Sequence, residues 1–298
     1  MTTLRQFLPN EPAEFVAEAG LHIVSTPIGR ARDITLHALD VLARADVLVA
    51  EDTRVLRKLM MLHGIQSDGR RILSYHDHST ETQLQSILKA LKSGHSVAYT
   101  SDAGTPLVSD PGFDLIQGAH SIGAKVHVAP GASAVLAALV LAQLPASRFY
   151  FGGFLPTKSG ARKSMLSSVR DAACTSVFYE TPKRVMATLA DAMEVFERDR
   201  DVVIARELTK KHEQLLRGAL AQLHGSLADN PSQMPEKGEL VLLFGPARVL
   251  EVSDDDIHES LRKYGLDQGV KTAAAAVAER LNVPRKRVYD LAVKLRES

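Results

Sequence analysis

The sequence predicts an α/β protein with a parallel sheet in its first half, a mixed sheet in its second half and a helical end. Short apolar runs alternate with helical segments from Leu21 onward, and strands separated by helices pair in parallel through right-handed crossovers. The segments between the last apolar runs of the second half are too short to hold a crossover helix in every case. Some of these strands should therefore pair antiparallel, which favours a mixed sheet. From Ser253 the apolar residues recur with a purely helical period.

Five apolar runs predict the strands of the first half, and they lie at residues 21–25, 47–50, 72–75, 96–99 and 126–128. The segments between these runs predict helices. Asp33 is placed to cap the first helix, whose apolar face begins at Ile34. Residues 81–92 predict a helix that ends before Gly94. Two more helices are expected from Phe113 and from Ala134.

The second half follows a linker at Leu144 and Pro145. Its strands are predicted at residues 149–154, 176–179, 202–205, 214–218 and 239–244, with helices near 165–172 and from Pro182. Three helices at 254–264, 269–281 and 284–296 close the chain, and the last two, with the turn at 282–284, resemble a helix-turn-helix. The predicted organisation is a loosely ordered arm (1–20), two α/β domains (21–144 and 145–250) and a helical extension (251–298).

The composition limits the classes of function. The 298 residues carry a net charge of +1, so nucleic-acid binding would have to come from local patches. The single cysteine, Cys174, excludes an internal disulfide and a cysteine-based zinc finger. The most apolar stretch, residues 134–144, is too short to cross a membrane, and the amino end lacks a targeting pattern. We expect a cytoplasmic protein with no membrane association.

Polar or Gly/Pro-rich turns follow four of the first-half strands. They read TPIG at 26–29, EDTR at 51–54, SDAG at 101–104 and PGAS at 130–133. Because the carboxyl ends of parallel strands share one edge of a sheet, we expect these turns to line one cleft. The plainer alternative is a set of structural turns without a ligand.

The turn at residues 101–112, SDAGTPLVSDPG, has the most specific chemistry. Gly104 lets the backbone approach a ligand closely, and Asp102 can accept hydrogen bonds from hydroxyls or an ammonium. The turn holds no lysine or arginine, so it lacks the features of a phosphate-binding loop. His76 and His78 could hold a metal, but without a third ligand in sight loop hydrogen bonding is favoured.

Several strings together resemble the tetrapyrrole methylase superfamily and, within it, the methyltransferases of small-subunit ribosomal RNA. Besides the turns above, they are SYH at 74–76, GFLP at 153–156, FYETPKR at 178–184, RELTK at 206–210 and KGE at 237–239. The resemblance implies two α/β domains with S-adenosylmethionine in the cleft between them, usually in a homodimer. It implies 2′-O-methylation of a cytidine ribose in small-subunit (16S) ribosomal RNA, naked or in the assembled small ribosomal subunit. Methylation of a tetrapyrrole precursor is the alternative.

The resemblance also implies roles for particular residues. The cofactor contacts are Pro27, Asp102, Ala103, Gly104, Thr105, Ala132 and Ser133 from the first domain, and Phe178, Tyr179, Arg206 and Leu243 from the second. Arg30 and Ala132 depart from the family pattern, which has Asn and often Pro there.

A base would help to deprotonate a ribose hydroxyl, and the residues alone leave Asp33, Glu51, Asp52 and His76 open as candidates. Phosphate contacts are expected from Arg54 and Lys210 and from Arg285, Lys286 and Arg287 in the helical extension. For the extension, a solvated charged face on a packing module is the alternative.

Overall fold

A five-stranded sheet forms the first half of the computed structural model, which describes residues 15–247, 253–265, 269–281 and 283–297. Its strands are β1 (Gly20–Val24), β2 (Val47–Ala50), β3 (Arg71–Ser74), β4 (Ser96–Thr100) and β5 (Val126–Ala129). They run in the order β3-β2-β4-β1-β5, and every pairing is parallel, as predicted. The connections after β1 and β4 leave in opposite directions, which opens a crevice at the carboxyl ends of these neighbouring strands.

Five helices connect and cover this sheet: α1 (Leu36–Arg44), α2 (Thr53–Leu62), α3 (Glu81–Lys92), α4 (Phe113–Ser121) and α5 (Ala134–Ala142). The prediction that Asp33 caps the first helix is wrong, since Asp33 ends a short 3-10 turn. The cap is Thr35, whose hydroxyl accepts the Ala38 N–H at 3.2 Å. Helix α2 was not predicted, although Asp52 caps it by accepting the Arg54 N–H at 2.8 Å.

The second sheet is mixed, as predicted. Its strands are β6 (Phe149–Phe154), β7 (Thr175–Glu180), β8 (Asp201–Arg206), β9 (Gln214–Ala219) and β10 (Leu240–Phe244), in the order β6-β7-β10-β8-β9. Only β6 and β7 pair in parallel. Helices α6 (Ser159–Ser168), α7 (Pro182–Val195) and α8 (Leu220–Asp229) complete this half. Helix α6 begins earlier than the predicted 165–172, and α8 was not predicted.

The two faces of the second sheet pack against different parts of the chain. One face, with Phe178, Ile204 and Leu242, forms a core with α6, α7 and α8. The other face, with Val177, Val203 and Leu243, packs against α5, which follows directly from the first sheet. Helix α5 therefore brings the carboxyl edge of the first sheet against the second sheet, and this contact positions the site.

The C-terminal segment forms a separate compact unit after Ala247. It contains α9 (Asp254–Tyr264), α10 (Val270–Leu281) and α11 (Arg285–Glu297) around a small apolar core, which confirms the three predicted helices. The predicted arm lies largely in residues 1–14, outside the described residues, and so does Asn282 of the predicted turn. Among the described helices, none has the length and apolar character of a membrane span.

Candidate active site

Three turns of the first sheet meet at its carboxyl edge, as the sequence predicts. The Thr26 turn (residues 25–30) and the Gly104 turn (residues 101–105) exchange two backbone hydrogen bonds: Thr26 N–H to the Gly104 carbonyl at 2.8 Å, and Gly104 N–H to the Thr26 carbonyl at 3.1 Å. The Thr105 hydroxyl donates to the carbonyl of Ala132 at 3.3 Å. The turns after β1, β4 and β5 therefore form one continuous surface.

A turn of the second half, the Thr209 turn (residues 207–210), packs against this surface. The Arg30 N–H donates to the Thr209 hydroxyl at 3.3 Å, and the Arg30 guanidinium donates to the Thr209 carbonyl at 3.0 Å. Gly29 makes the approach possible, because a Cβ built there would lie 2.4 Å from the Thr209 hydroxyl oxygen. Because Gly29 has no side chain, the Thr209 turn of the second half can pack directly against the Thr26 turn of the first half.

A Gly29→Ala variant is expected to displace the Thr209 turn and to lose about 1–3 kcal/mol of unfolding free energy, as overpacked sites do. Chemical denaturation measures this loss. Gly160→Ala is the matched control, since nothing lies within 4 Å of a Cβ built at Gly160. An equal stability of the two variants would show that the contact between the turns is not tight.

A cavity of about 310 Å³ lies between the carboxyl edge of the first sheet and the second sheet. Its wall from the first sheet includes the Gly104 turn, Glu51, Asp110 and Ser133. Its wall from the second sheet includes a row of three residues in register across β7, β10 and β8, namely Tyr179, Val241 and Ala205. No lysine or arginine of the described residues lines it.

The structure gathers most of the residues that the resemblance implied as cofactor contacts. Those that line the cavity are Asp102, Ala103, Gly104, Thr105, Ser133 and Tyr179. Pro27 and Ala132 belong to the same turns but do not line it. Ala132 instead lines a shallower neighbouring pocket, which also contains Ser133 and Asp33.

Three further second-domain candidates lie elsewhere. Phe178 alternates with Tyr179 along β7, so its side chain is fully buried in the core on the opposite face. Leu243 is on the cavity side of β10 but is fully buried in the core that includes α5, and Val241 lines the cavity instead. Arg206 is buried and donates to the carbonyls of His212 and Lys237.

Carboxylates dominate the polar part of the cavity. Glu51 accepts the Asp102 N–H at 3.3 Å, and Asp102 accepts the Asp52 N–H at 3.1 Å, which ties the ends of β2 and β4 together. Burial raises the pKa of Glu51, and the Asp102 and Asp77 carboxylates add to the shift. Burial likewise raises the pKa of Asp102, with Asp52 adding to it. A cationic ligand would relieve this repulsion.

The four candidate bases occupy different environments, and Glu51 is the one that lines the cavity. Asp33 lines the shallower pocket. Asp52 is paired with Arg54 at 2.5 Å, and hydrogen bonds from Arg54 lower its pKa to about 2. His76 is not among the lining residues, and its Nδ1 accepts the His78 N–H at 3.2 Å.

The sequence did not single out Asp110, which lines the cavity. It lies in the turn at 101–112, where the sequence pointed to residues 102–105 and not to this second carboxylate. In the structure Asp110 lines the cavity near Glu51 and Asp102. A carboxylate between a serine and a proline offered a signal, but the depth of the side chain in the cavity was not visible in the sequence.

Lys210, expected as a phosphate contact, is held by two carboxylates. Its ammonium donates to Glu207 and to Glu239, each at 3.0 Å. Burial would lower the pKa of Lys210, but the hydrogen bonds to Glu207 and Glu239 outweigh it and raise the pKa. The positive charge of Lys210 is therefore neutralised by two carboxylates of the protein itself, Glu207 in the Thr209 turn and Glu239 just before β10.

A Lys210→Met variant leaves two neighbouring carboxylates without their shared cation. We expect a loss of about 1–3 kcal/mol in unfolding free energy, the usual cost of orphaning partly buried polar groups. The exposed neighbour Lys211 provides the control, and Lys211→Met should be neutral in the same denaturation experiment. Equal stabilities would mean that the ion pairs of Lys210 are only surface contacts.

The other candidate phosphate contacts are exposed. The Arg54 side chain is 88% exposed although it pairs with Asp52. In the helical unit, Arg285 and Lys286 are exposed at the start of α11, and Arg287 donates to Asp254 at 2.6 Å.

The cavity at the junction of the parallel and the mixed sheet is rich in carboxylates and, among the described residues, has no lysine or arginine in its lining, which suits a protein that binds a cationic ligand without phosphate. The chain belongs to the family of tetrapyrrole (corrin/porphyrin) methylases, whose model matches residues 20–224. Family membership confirms the predicted S-adenosylmethionine-dependent methyltransferase class.

Two relatives are similar over almost the whole chain. The ribosomal RNA small subunit methyltransferase I of Mesorhizobium japonicum is 39% identical over 283 residues, which is 94% of each chain. The protein of the same name from Neisseria meningitidis serogroup A is 39% identical over 289 residues, 94% of this chain and 95% of that protein.

Solved structures share the fold at lower identity. Cobalt precorrin-4 methyltransferase superposes with a TM-score of 0.57 at 18% identity, covering 76% of this chain and 94% of that one. Uroporphyrin-III C-methyltransferase from Thermus thermophilus, solved in complex with S-adenosyl homocysteine, gives a TM-score of 0.53 at 17% identity, covering 76% of this chain and 97% of that one.

Proposed function

We propose that this methyltransferase transfers a methyl group from S-adenosylmethionine to the ribose 2′-hydroxyl of a cytidine in small-subunit ribosomal RNA. The observation that carries the proposal is the carboxylate-rich cavity at the junction of the two sheets. The names of the relatives, which are similar over nearly the whole chain, support ribosomal RNA as the acceptor.

The cavity fits S-adenosylmethionine, which has an ammonium, a sulfonium and a ribose diol but no phosphate. Asp102 and Glu51 offer acceptors and negative charge, while Ile28, Tyr179 and Val241 offer apolar surface. Gly104 has φ of +82°, and it lets the backbone form the cavity wall without a side chain. These residues would hold the cofactor.

When bound, the cofactor supplies a methyl group on an electrophilic sulfonium. The protein then has to orient the acceptor hydroxyl in line and to exclude water, which the position of the cavity between the two sheets favours. Of the four bases considered from the sequence, Glu51 is the one that lines the cavity, where its negative charge would favour a cationic methyl donor.

Binding of the RNA backbone is proposed for Arg54 and for the exposed start of α11, with Arg285, Lys286 and Arg287. Lys210 is a weaker candidate, because two carboxylates neutralise it. Such a substrate implies a cytoplasmic location, and the homodimer stays a prediction that analytical ultracentrifugation can test.

Incubation with methyl-labelled S-adenosylmethionine and assembled small ribosomal subunits tests the proposal. We expect label in the RNA, and nuclease digestion should place it on a cytidine ribose. Parallel reactions use naked RNA and a corrin precursor as acceptors. Label on a base, or transfer to the macrocycle alone, would overturn the proposed function.

A further inference from the structure

The segment that carries Asp110 is anchored in the core of the first sheet. The fully buried Tyr99 of β4 donates its hydroxyl to the carbonyl of Pro111 at 3.0 Å. Leu107 and Ser109 take positive φ angles of 74° and 66°, which non-glycine residues rarely adopt. The surrounding structure therefore fixes this segment and holds the Asp110 carboxylate at the wall of the cavity.

The other cavity-lining carboxylates are engaged by charged groups or by backbone N–H groups. Glu180 binds Arg184 at 3.0 Å and the Thr188 hydroxyl at 2.7 Å. Glu239 binds Lys210. Glu51 and Asp102 each accept a backbone N–H of the neighbouring turn. Among the described residues, no ion pair and no hydrogen bond from a charged or backbone group holds Asp110, although the Ser101 hydroxyl lowers its pKa.

The groups that face Asp110 come from three strand ends of the first sheet. Glu51 after β2 and Asp102 after β4 line the same cavity, and Asp77 after β3 adds a third negative charge that acts on Asp110, while Tyr179 of β7 lies on the other wall. Burial, together with these three negative charges, raises the pKa of Asp110 to about 6, against the smaller opposing effect of Ser101. A carboxylate with a pKa of about 6 is mostly ionised at neutral pH and is still basic enough to accept a proton.

We propose that Asp110 is the catalytic residue that accepts the proton of the acceptor hydroxyl, an inference that rests on the proposed function. In the step, the O–H bond of the hydroxyl and the bond between sulfur and methyl carbon break, and the bond between oxygen and methyl carbon forms. The proton moves to the Asp110 carboxylate, and the sulfur keeps its electron pair. Glu51 then acts through its charge on Asp110 rather than as the base.

Asp110→Asn tests the assignment, because the amide keeps the shape of the carboxylate but cannot accept the proton. We expect kcat to fall by about 10²–10⁴-fold while the Kd for S-adenosylmethionine, measured by calorimetry, changes less than about 3-fold. Asp110→Glu should recover part of the rate. The exposed Asp114→Asn, at the start of α4, is the matched control and should keep the rate.

The pH dependence gives two further readouts. The wild-type kcat should fall as the pH drops through about 6, and this dependence should be absent in Asp110→Asn. Because the folded state holds the Asp110 proton more tightly than the unfolded chain, stability is lost as the pH rises from the ordinary Asp pKa of 3.8 to about 6, and the full loss is present above that pH. Asp110→Asn should therefore raise the Tm at pH 7, and the gain should vanish near pH 4.

The possible outcomes distinguish a failure of the Asp110 assignment from a failure of the proposed function. If the wild-type protein methylates RNA and Asp110→Asn keeps kcat within a few-fold, the assignment of Asp110 is wrong and the proposed function stands. If the wild-type protein transfers no methyl group to ribosomal RNA, the proposed function fails and the role of Asp110 fails with it.

Discussion

An Ala205→Phe variant is expected to fold and to lose S-adenosylmethionine binding by at least about 100-fold, because a phenyl ring would fill the space that the ligand needs. Ala205 lies on β8 beside Val241, and its methyl group faces the cavity. The larger side chain can extend into open space, so the loss of unfolding free energy should stay within about 1–3 kcal/mol. Calorimetry measures the affinity, and thermal unfolding measures the fold.

Two comparisons sharpen this experiment. Ala205→Ser adds one atom and should bind the cofactor within a few-fold of wild type. Val203→Phe lies on the same face but under α5 in a packed core, so it should destabilise the fold more than Ala205→Phe does. Unchanged affinity in a folded Ala205→Phe protein would place the ligand elsewhere.

An Asp102→Asn variant should bind S-adenosylmethionine about 10–100-fold more weakly, the effect of losing a hydrogen bond to a charged group. The amide oxygen can still accept the Asp52 N–H, so the turn should keep its shape. The affinity for S-adenosylhomocysteine should fall less, because that product lacks the sulfonium charge. Asp229→Asn, exposed at the end of α8, is the control. Equal losses for both ligands would show that Asp102 does not sense the charge on sulfur.

The first sheet and its turns were predictable from the sequence because each strand is a short apolar run that ends in a recognisable polar turn. Parallel pairing then forces the ends of β1, β4 and β5 onto one edge. The hydrogen bonds of Thr26 with Gly104 and of Thr105 with Ala132 show that outcome. Helix α2 was missed because its cap, Asp52, and its first residues were assigned to the turn at 51–54.

The second wall of the cavity was harder to predict, because both faces of the second sheet are apolar. Alternation along β7 and β10 does not distinguish the cavity face from the core face when Phe178 and Tyr179, or Leu242 and Leu243, are all hydrophobic. Which residue of the cavity face stays uncovered depends on where α5 begins, because Ser133 and Ala134 at its start line the cavity. That is a property of packing between distant segments, and it selects Val241 over Leu243.

The central claim is that the cavity between the two sheets holds the methyl donor, and a crystal structure with S-adenosylhomocysteine tests it most directly. We expect the ligand between the Gly104 turn and the row formed by Tyr179, Val241 and Ala205, within hydrogen-bonding distance of Asp102. A ligand bound instead in the shallow pocket beside Asp33, with the cavity empty, would contradict the account.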